Sequence, residues 1–186
     1  MSMNQLMLTL YLLTIFTPIA SAQGKLEWSE TKKLTIADFK GSPSDPSTEQ
    51  TLVVSFGQDL NLEKSKISSL KTFNAQVTNY FSQDSSWIDR TDQSRLRYVI
   101  THFDINEWMA RALRKRLNEN RELVLRGEHQ TILDEINNEF EKIKLAYDNE
   151  SNYGNNPIGQ MNWETRINEQ LIALADYCKT CEPKGK

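Results

Sequence analysis

The stretch Asp92-Gln93-Ser94-Arg95-Leu96-Arg97-Tyr98-Val99-Ile100-Thr101-His102-Phe103-Asp104-Ile105-Asn106-Glu107-Trp108-Met109-Ala110-Arg111-Ala112-Leu113-Arg114-Lys115-Arg116-Leu117 decides how this chain folds. Its apolar residues Leu96, Val99, Ile100, Phe103, Met109, Ala110, Leu113 and Leu117 fall along one face of a long amphipathic helix. Asp92 suits the N-cap, where a short side-chain oxygen accepts from the first unpaired backbone N–H groups. Glu107 stands four residues before Arg111, the spacing of an ion pair along a helix. The basic group Arg111, Arg114, Lys115 and Arg116 reads as the solvated side of the same helix.

Two more helices follow. One carries Ile132, Leu133, Ile136, Phe140, Ile143 and Tyr147 and is expected to stop before the polar loop Asn149 to Pro157, which contains Gly154. The other places Trp163, Ile167, Leu171, Leu174 and Cys178 at helical spacing. Towards the N-terminus the pattern changes to β and turn. Trp28 and Leu34-Thr35-Ile36 precede Asp38-Phe39-Lys40-Gly41, and Ser42 to Ser47 is a loop by its Pro, Ser and Asp content. Thr51 to Phe56 is β-rich and is expected to close at Gly57, and Ile67 to Phe81 supplies another strand or two. The turn Ser82 to Ser86 then leads to Trp87. Strands first and helices second predict an α+β fold: a small N-terminal sheet followed by about three amphipathic helices.

Residues 1–22 carry no charged side chain, and their apolar run ends in Ala20-Ser21-Ala22, small residues where a signal peptidase requires them. The run is short for a membrane span. A signal peptide over 1–22, a single domain over 23–182 and a mobile tail over 183–186 are therefore expected, with the mature protein exported to a periplasm or the cell exterior and free of the membrane. The balance of 22 basic and 25 acidic residues gives a net charge of −3 without a basic block, which argues against nucleic acid as a partner. Cys178 and Cys181 are spaced C-x-x-C. In an exported chain a short-loop disulfide fits. A thioredoxin-type centre is disfavoured because the pair ends a helical pattern, and zinc would need two further ligands from a chain with only 2 His. His129 follows Gly127 at a helix start and reads as a surface histidine.

Several segments, in order, resemble a bacterial family of secreted proteins described as zinc-dependent proteases. That family's pattern runs L-L-x-H-E-Q-x-H-F-D-I-A-E, then Arg, and later Y-D-x-x-T-x-H-G and Q-x-x-W. This chain has Leu96, His102-Phe103-Asp104-Ile105, Glu107 and Arg111 in the first block, and Tyr147-Asp148, Ser151, Gly154, Gln160 and Trp163 in the second. Leu34 to Gly41 is similar to the family's L-x-W-x-D-F-x-G, with Ile36 in place of Trp, and Ser86-Trp87 to its S-W. The resemblance spans nearly all the mature chain and implies a zincin-like fold, with zinc as the family's cofactor.

The departures fall on the chemistry. In an H-E-x-x-H helix two His four apart bind zinc and the Glu activates the metal-bound water. Here the positions read Tyr98-Val99-Ile100-Thr101-His102, and Tyr153 stands at the third His. His102 is the one ligand position kept, so no metal and no catalysis by the family mechanism are expected. Tyr98, Val99, His102 and Tyr153 then form a vestigial site. Its tyrosines either fill the vacated cavity and hydrogen-bond His102 or, less simply, join it as ligands of another metal. Asp104, Glu107, Asp148 and Gln160 could support a metal site from outside; without a metal, Asp104 and Glu107 serve the helix, while Asp148 and Gln160 hold the Tyr153 loop. Three functions fit these residues: a non-catalytic binding or accessory protein on a degenerate protease scaffold, a secreted metal-dependent peptidase with non-standard ligands, and a thiol protein centred on Cys178 and Cys181. The first is the expectation, with a peptide, protein or cell-surface component as partner and an exposed strand edge as the place for a peptide.

Overall fold

Asp92 begins the central helix: its Oδ1 accepts from the backbone N–H of Ser94 and Arg95 at 3.1 Å each. The helix it caps, α1, runs Gln93–Glu119. The computed structural model describes residues 24–43, 52–64, 73–89 and 92–181. The expected signal peptide and tail lie outside them, as do Ser44 to Ser47, Thr51 and Ile67 to Thr72.

From Ile105 to Arg111 every residue of α1 is buried. A helix enclosed on all sides is a core element rather than a surface one. Strand β4 (Phe73–Ser82) lies on one side, and α3 (Gln130–Glu150) and α4 (Pro157–Ala173) pack on others. Ile105, Leu113 and Leu117 of α1 meet Val77, Ile136, Phe140, Tyr147, Trp163 and Ile167 in one apolar cluster. A second cluster joins Val99 and Phe103 to Trp28, Leu34, Phe39, Phe81 and Ile88. Burial of each such side chain contributes roughly 1.5–3 kcal/mol, so the two clusters fix α1 against both layers.

The helices follow their sequence signals closely. Asn156 caps α4 through a hydrogen bond from the Ile158 N–H, and Pro157 occupies the first turn, where its missing N–H costs nothing. A short helix, α2 (Arg121–Arg126), adds to the three expected and ends at Gly127, whose φ of 85° is the left-handed C-cap. Two boundaries shift. α3 runs to Glu150, past the expected stop before Asn149, and α4 ends at Ala173, so Cys178 lies beyond it after a 3-10 turn at Ala175–Tyr177. His129 is half-buried where α3 begins.

The β layer is a three-stranded antiparallel sheet of order β1-β4-β3, with β1 at Lys25–Glu27 and β3 at Phe56–Lys64. A separate pair joins β2 (Leu52–Val53) to β5 (Trp87–Ile88). Gly57 does not close a strand as expected: it lies inside β3, opposite Tyr80. A Cβ at that position would fall 2.4 Å from the Tyr80 ring, so the glycine is there to let the aromatic lie across the strand. Leu60, Leu62, Ala75 and Val77 turn toward the helices, alternating with Asp59, Asn61, Gln76 and Thr78 on the other face. The architecture is a mixed α+β fold, a small antiparallel sheet against a helical layer.

The basic cluster of α1 departs from its reading as a solvated side. Arg111 and Arg114 are 2 % and 9 % exposed. Both guanidinium groups reach Glu107 Oε1 at 3.1 Å, and Arg114 also donates to the Val77 and Tyr177 carbonyls. The helix carries these charges on its buried stripe because the β4 backbone and the chain after α4 supply acceptors there. Cys178 and Cys181 form a disulfide. Beside it Lys179 binds Thr78 and Glu27, and Thr180 donates to the Trp28 carbonyl, so this segment ties α4 to the sheet.

Candidate functional site

Tyr98 and His102 lie one turn apart on α1, and Asp148, near the end of α3, meets them both. The Tyr98 hydroxyl donates to Asp148 Oδ1 at 2.5 Å, and His102 Nε2 lies 2.7 Å from the same oxygen. A carboxylate only accepts, so Nε2 carries the proton. The three side chains are mostly buried, with 15 % and 22 % exposure for those of His102 and Asp148. Burial pushes the Asp148 carboxyl up, but hydrogen bonds from His102 and Tyr98 outweigh it and hold the group below the usual carboxylate range. Burial, reinforced by the Asp148 hydrogen bond, moves the Tyr98 phenol the other way, above its ordinary value. The site keeps an anionic carboxylate and a neutral phenol.

Tyr147 forms the wall behind this group. Its ring stacks on Tyr98 with centroids 5.4 Å apart and meets His102 edge-on at 4.9 Å. Its hydroxyl donates to Gln160 Oε1 at 2.7 Å. Gln160 Nε2 in turn donates to Thr101 Oγ1 at 2.6 Å and to Glu164 Oε1 at 2.9 Å. Glu164 takes a two-pronged contact from Arg97, both distances 2.6 Å. A connected polar network therefore links α1, α3 and α4 behind His102, with its members mutually satisfied. Gln160 supports Tyr147 and Thr101 rather than the loop it was expected to hold.

That loop, between α3 and α4, positions Tyr153 by backbone geometry. Asn152, Tyr153 and Gly154 are all left-handed, with φ of 48°, 52° and 82°. The two non-glycine residues each cost on the order of 1 kcal/mol in that conformation. Gly154 is required, since a Cβ there would lie 2.8 Å from Tyr98 Cβ. The Tyr153 ring comes within 6.5 Å of the Tyr98 ring yet is 50 % exposed, so it covers the rim of the group and does not fill a cavity beside His102. The hydrogen bond expected from Tyr98 to His102 goes to Asp148 instead.

The remaining predicted residues separate. Val99, where the resemblance places the catalytic Glu, is 1 % exposed in the apolar cluster with Phe81 and Phe103. Asp104 accepts from Trp28 Nε1 at 2.6 Å and from Lys33, while Glu107 serves Arg111 and Arg114. Neither contacts the Tyr98–His102–Asp148 group. Of the residues named from the sequence, the structure thus brings together Tyr98, His102 and Asp148, with Tyr153 at the edge and Gln160 behind. It adds Tyr147 and Thr101, which the sequence motifs contain without a role, and Glu164, for which the sequence gave no signal.

These donors do not suit zinc. One imidazole is present, its Nε2 is held by the Asp148 carboxylate, and the other oxygen at the site is a phenol whose ionisation is suppressed. Among the described residues, no three His, Cys, Asp or Glu side chains converge as a ligand set. What the group can do is hold His102 rigidly at the floor of a cleft. A cavity of about 360 Å³ is lined by His102 and Asn106 of α1, Asn137 and Lys144 of α3, and Phe56, Gly57 and Gln58 of β3. The Ser82 N–H donates to the Ser55 carbonyl at 2.9 Å, which sets the phase of the ladder. By alternation the N–H and C=O groups of Phe56, Gln58, Leu60 and Leu62 point away from β4. Among the described residues no strand pairs with that edge. No described helix is long and apolar enough to cross a membrane. Comparison with known protein families, curated proteins and solved structures finds no match for this chain.

Proposed function

We propose that the chain is an exported, non-catalytic binding protein on a degenerate zincin-like scaffold, and that it takes an extended peptide segment along the outer edge of β3. The observation that carries this reading is the shared cleft: outward-facing β3 and His102 line one cavity. Val99, where the resemblance places the catalytic Glu, is closed into the core. An unpaired strand edge offers main-chain hydrogen bonds to a peptide, and the cavity offers room for one of its side chains. Asn106, Asn137, Lys144 and His102 give that room a polar lining.

Elemental analysis of the purified protein, after zinc loading and dialysis, tests the non-catalytic half. Near-zero metal is expected. Stoichiometric zinc or iron that disappears in His102→Ala would overturn it and favour the peptidase with non-standard ligands. The site also allows a gain of function. Tyr98→His would place two imidazoles four residues apart facing Asp148, so the variant is expected to take up one zinc per chain. A folded Tyr98→His protein without zinc would count against the alignment with the H-E-x-x-H helix. For the binding half, peptides with alternate amides N-methylated should lose affinity, because the methyl groups remove the hydrogen bonds that strand pairing requires.

A further inference from the structure

Arg111 is fully enclosed, and its nitrogens are committed to unequal partners. Nε donates to Glu107 at 3.1 Å and Nη1 to the Leu171 carbonyl at 2.6 Å. Nη2 points at sulfur: Cys178 Sγ at 3.1 Å and Cys181 Sγ at 3.2 Å. A disulfide sulfur is a weak acceptor, whereas a thiolate beside a guanidinium forms a charge-assisted hydrogen bond. The charge balance agrees. Glu107 is shared between Arg111 and Arg114, so the buried trio holds one positive charge in excess. The other charged groups bordering the disulfide's two cavities, Glu30, Lys33, Asp176 and Lys179, are exposed and cancel in sign. A single thiolate at Cys178 or Cys181 would neutralise the excess where it lies.

We infer that Cys178 and Cys181 form a thiol–disulfide exchange centre, with Arg111 stabilising the thiolate and the adjoining cavity admitting a small thiol. That cavity is about 600 Å³ and is bordered by Trp28, Lys33, Arg111, Leu171 and both cysteines. In the first step a thiolate of the small thiol attacks one cysteine sulfur. The S–S bond breaks, a mixed disulfide forms, and the other cysteine leaves as a thiolate beside Arg111. A second thiolate then attacks the mixed disulfide and releases the small molecule as its own disulfide. The second cysteine takes a proton from water. Two small thiols are oxidised by two electrons in all, and the protein disulfide becomes one thiolate held by Arg111 and one thiol. Cysteines of C-x-x-C centres gain their acidity from a nearby positive field, and here a guanidinium supplies it in place of a helix N-terminus. Because the cation favours the reduced pair, the centre acts as an oxidant of thiols.

The test is redox titration of the intact protein in glutathione buffers, with the reduced fraction counted by alkylation and mass and the fold followed by circular dichroism. Thiolate absorbance of the reduced protein against pH gives the ionisation directly. Reduction within the folded state is expected, with a thiol titrating below about 7.5 against about 8.5 for ordinary cysteine. That shift raises the thiolate fraction at pH 7 roughly eightfold. Arg111→Lys should keep most of the effect, and Arg111→Gln should return the titration toward the ordinary value. If Arg111→Gln fails to fold, the wild-type titration still decides. A wild-type thiol titrating at or above about 8.5, or a disulfide reduced only when the chain unfolds, would overturn the inference and leave a purely structural crosslink.

Discussion

Two polar clusters sit on α1 and face different neighbours. At Tyr98 and His102 the acceptor is Asp148, near the end of the adjacent helix α3, and the group opens onto a cleft. At Glu107, Arg111 and Arg114 the acceptors are a β4 carbonyl, the Leu171 carbonyl in the last turn of α4, the Tyr177 carbonyl beyond it, and the disulfide. The first cluster keeps one side chain accessible and anchors it by hydrogen bonds. The second encloses two cations with a single anion. The difference teaches where the energy lies: the first cluster holds an imidazole at a cleft by hydrogen bonds, and the second is a charge arrangement the fold depends on.

The largest expected effect follows from that dependence. Glu107→Gln removes the anion between two buried guanidinium groups and leaves both uncompensated. Breaking a buried pair in this way typically costs about 3–5 kcal/mol. Denaturant unfolding of the variant checks it, and a loss below about 1 kcal/mol would mean that the carbonyl acceptors alone satisfy Arg111 and Arg114.

Asp148→Asn strikes the other cluster. The amide keeps the shape but weakens the acceptor for Tyr98 and His102, so a loss of about 1.5–3 kcal/mol is expected from the charged hydrogen bonds. The pH dependence has a definite sign. Asp148 is depressed in the folded state, so its contribution is complete above the unfolded carboxyl value near 4. It is lost as pH falls through the lower folded value. Wild type and Asp148→Asn should therefore differ in stability at neutral pH and converge in acid. Parallel acid-unfolding curves would sink the assignment of Asp148 as the ionised acceptor.

The two clusters also differ in how far the sequence disclosed them. The α1 cap and its apolar stripe were legible because local hydrogen bonding and a helical period are written in consecutive residues. The α+β order was legible for the same reason. α2 escaped because six residues hold too few turns to show a period. β3 was hidden behind Gly57, whose usual meaning as a strand end is reversed by Tyr80 across the ladder. In the first cluster, Tyr98, His102 and Asp148 could be named, but the hydrogen bond from Tyr98 to Asp148 rather than to His102 depends on how α3 docks. In the second cluster the Glu107–Arg111 pair was legible from its spacing, but its burial was misread. Arg111 and Arg114 look solvated in a list of charges, although Glu107, Arg111 and Arg114 share the i, i+4, i+7 stripe that buries apolar side chains. Charges on that stripe were the missed signal.

The smallest effect sharpens the boundary between buried and exposed electrostatics on the same helix. Arg97 and Glu164 make the best-formed ion pair of the first cluster's outer layer, two-pronged between α1 and α4. Their side chains are nevertheless 50 % and 34 % exposed, so water screens the attraction and both side chains lose rotamer freedom to form it. Hydrogen bonds from Arg97 and Gln160 hold Glu164 below the usual range against the upward push of burial, but that exposure keeps the shift from translating fully into stability. A double-mutant cycle with Arg97→Ala and Glu164→Ala should give a coupling of no more than about 1 kcal/mol, falling with added salt. A coupling that matched the Glu107 loss and ignored salt would show that the Gln160 network extends the enclosed core out to Arg97, and the contrast between the clusters would then lie in their ligands rather than in their burial.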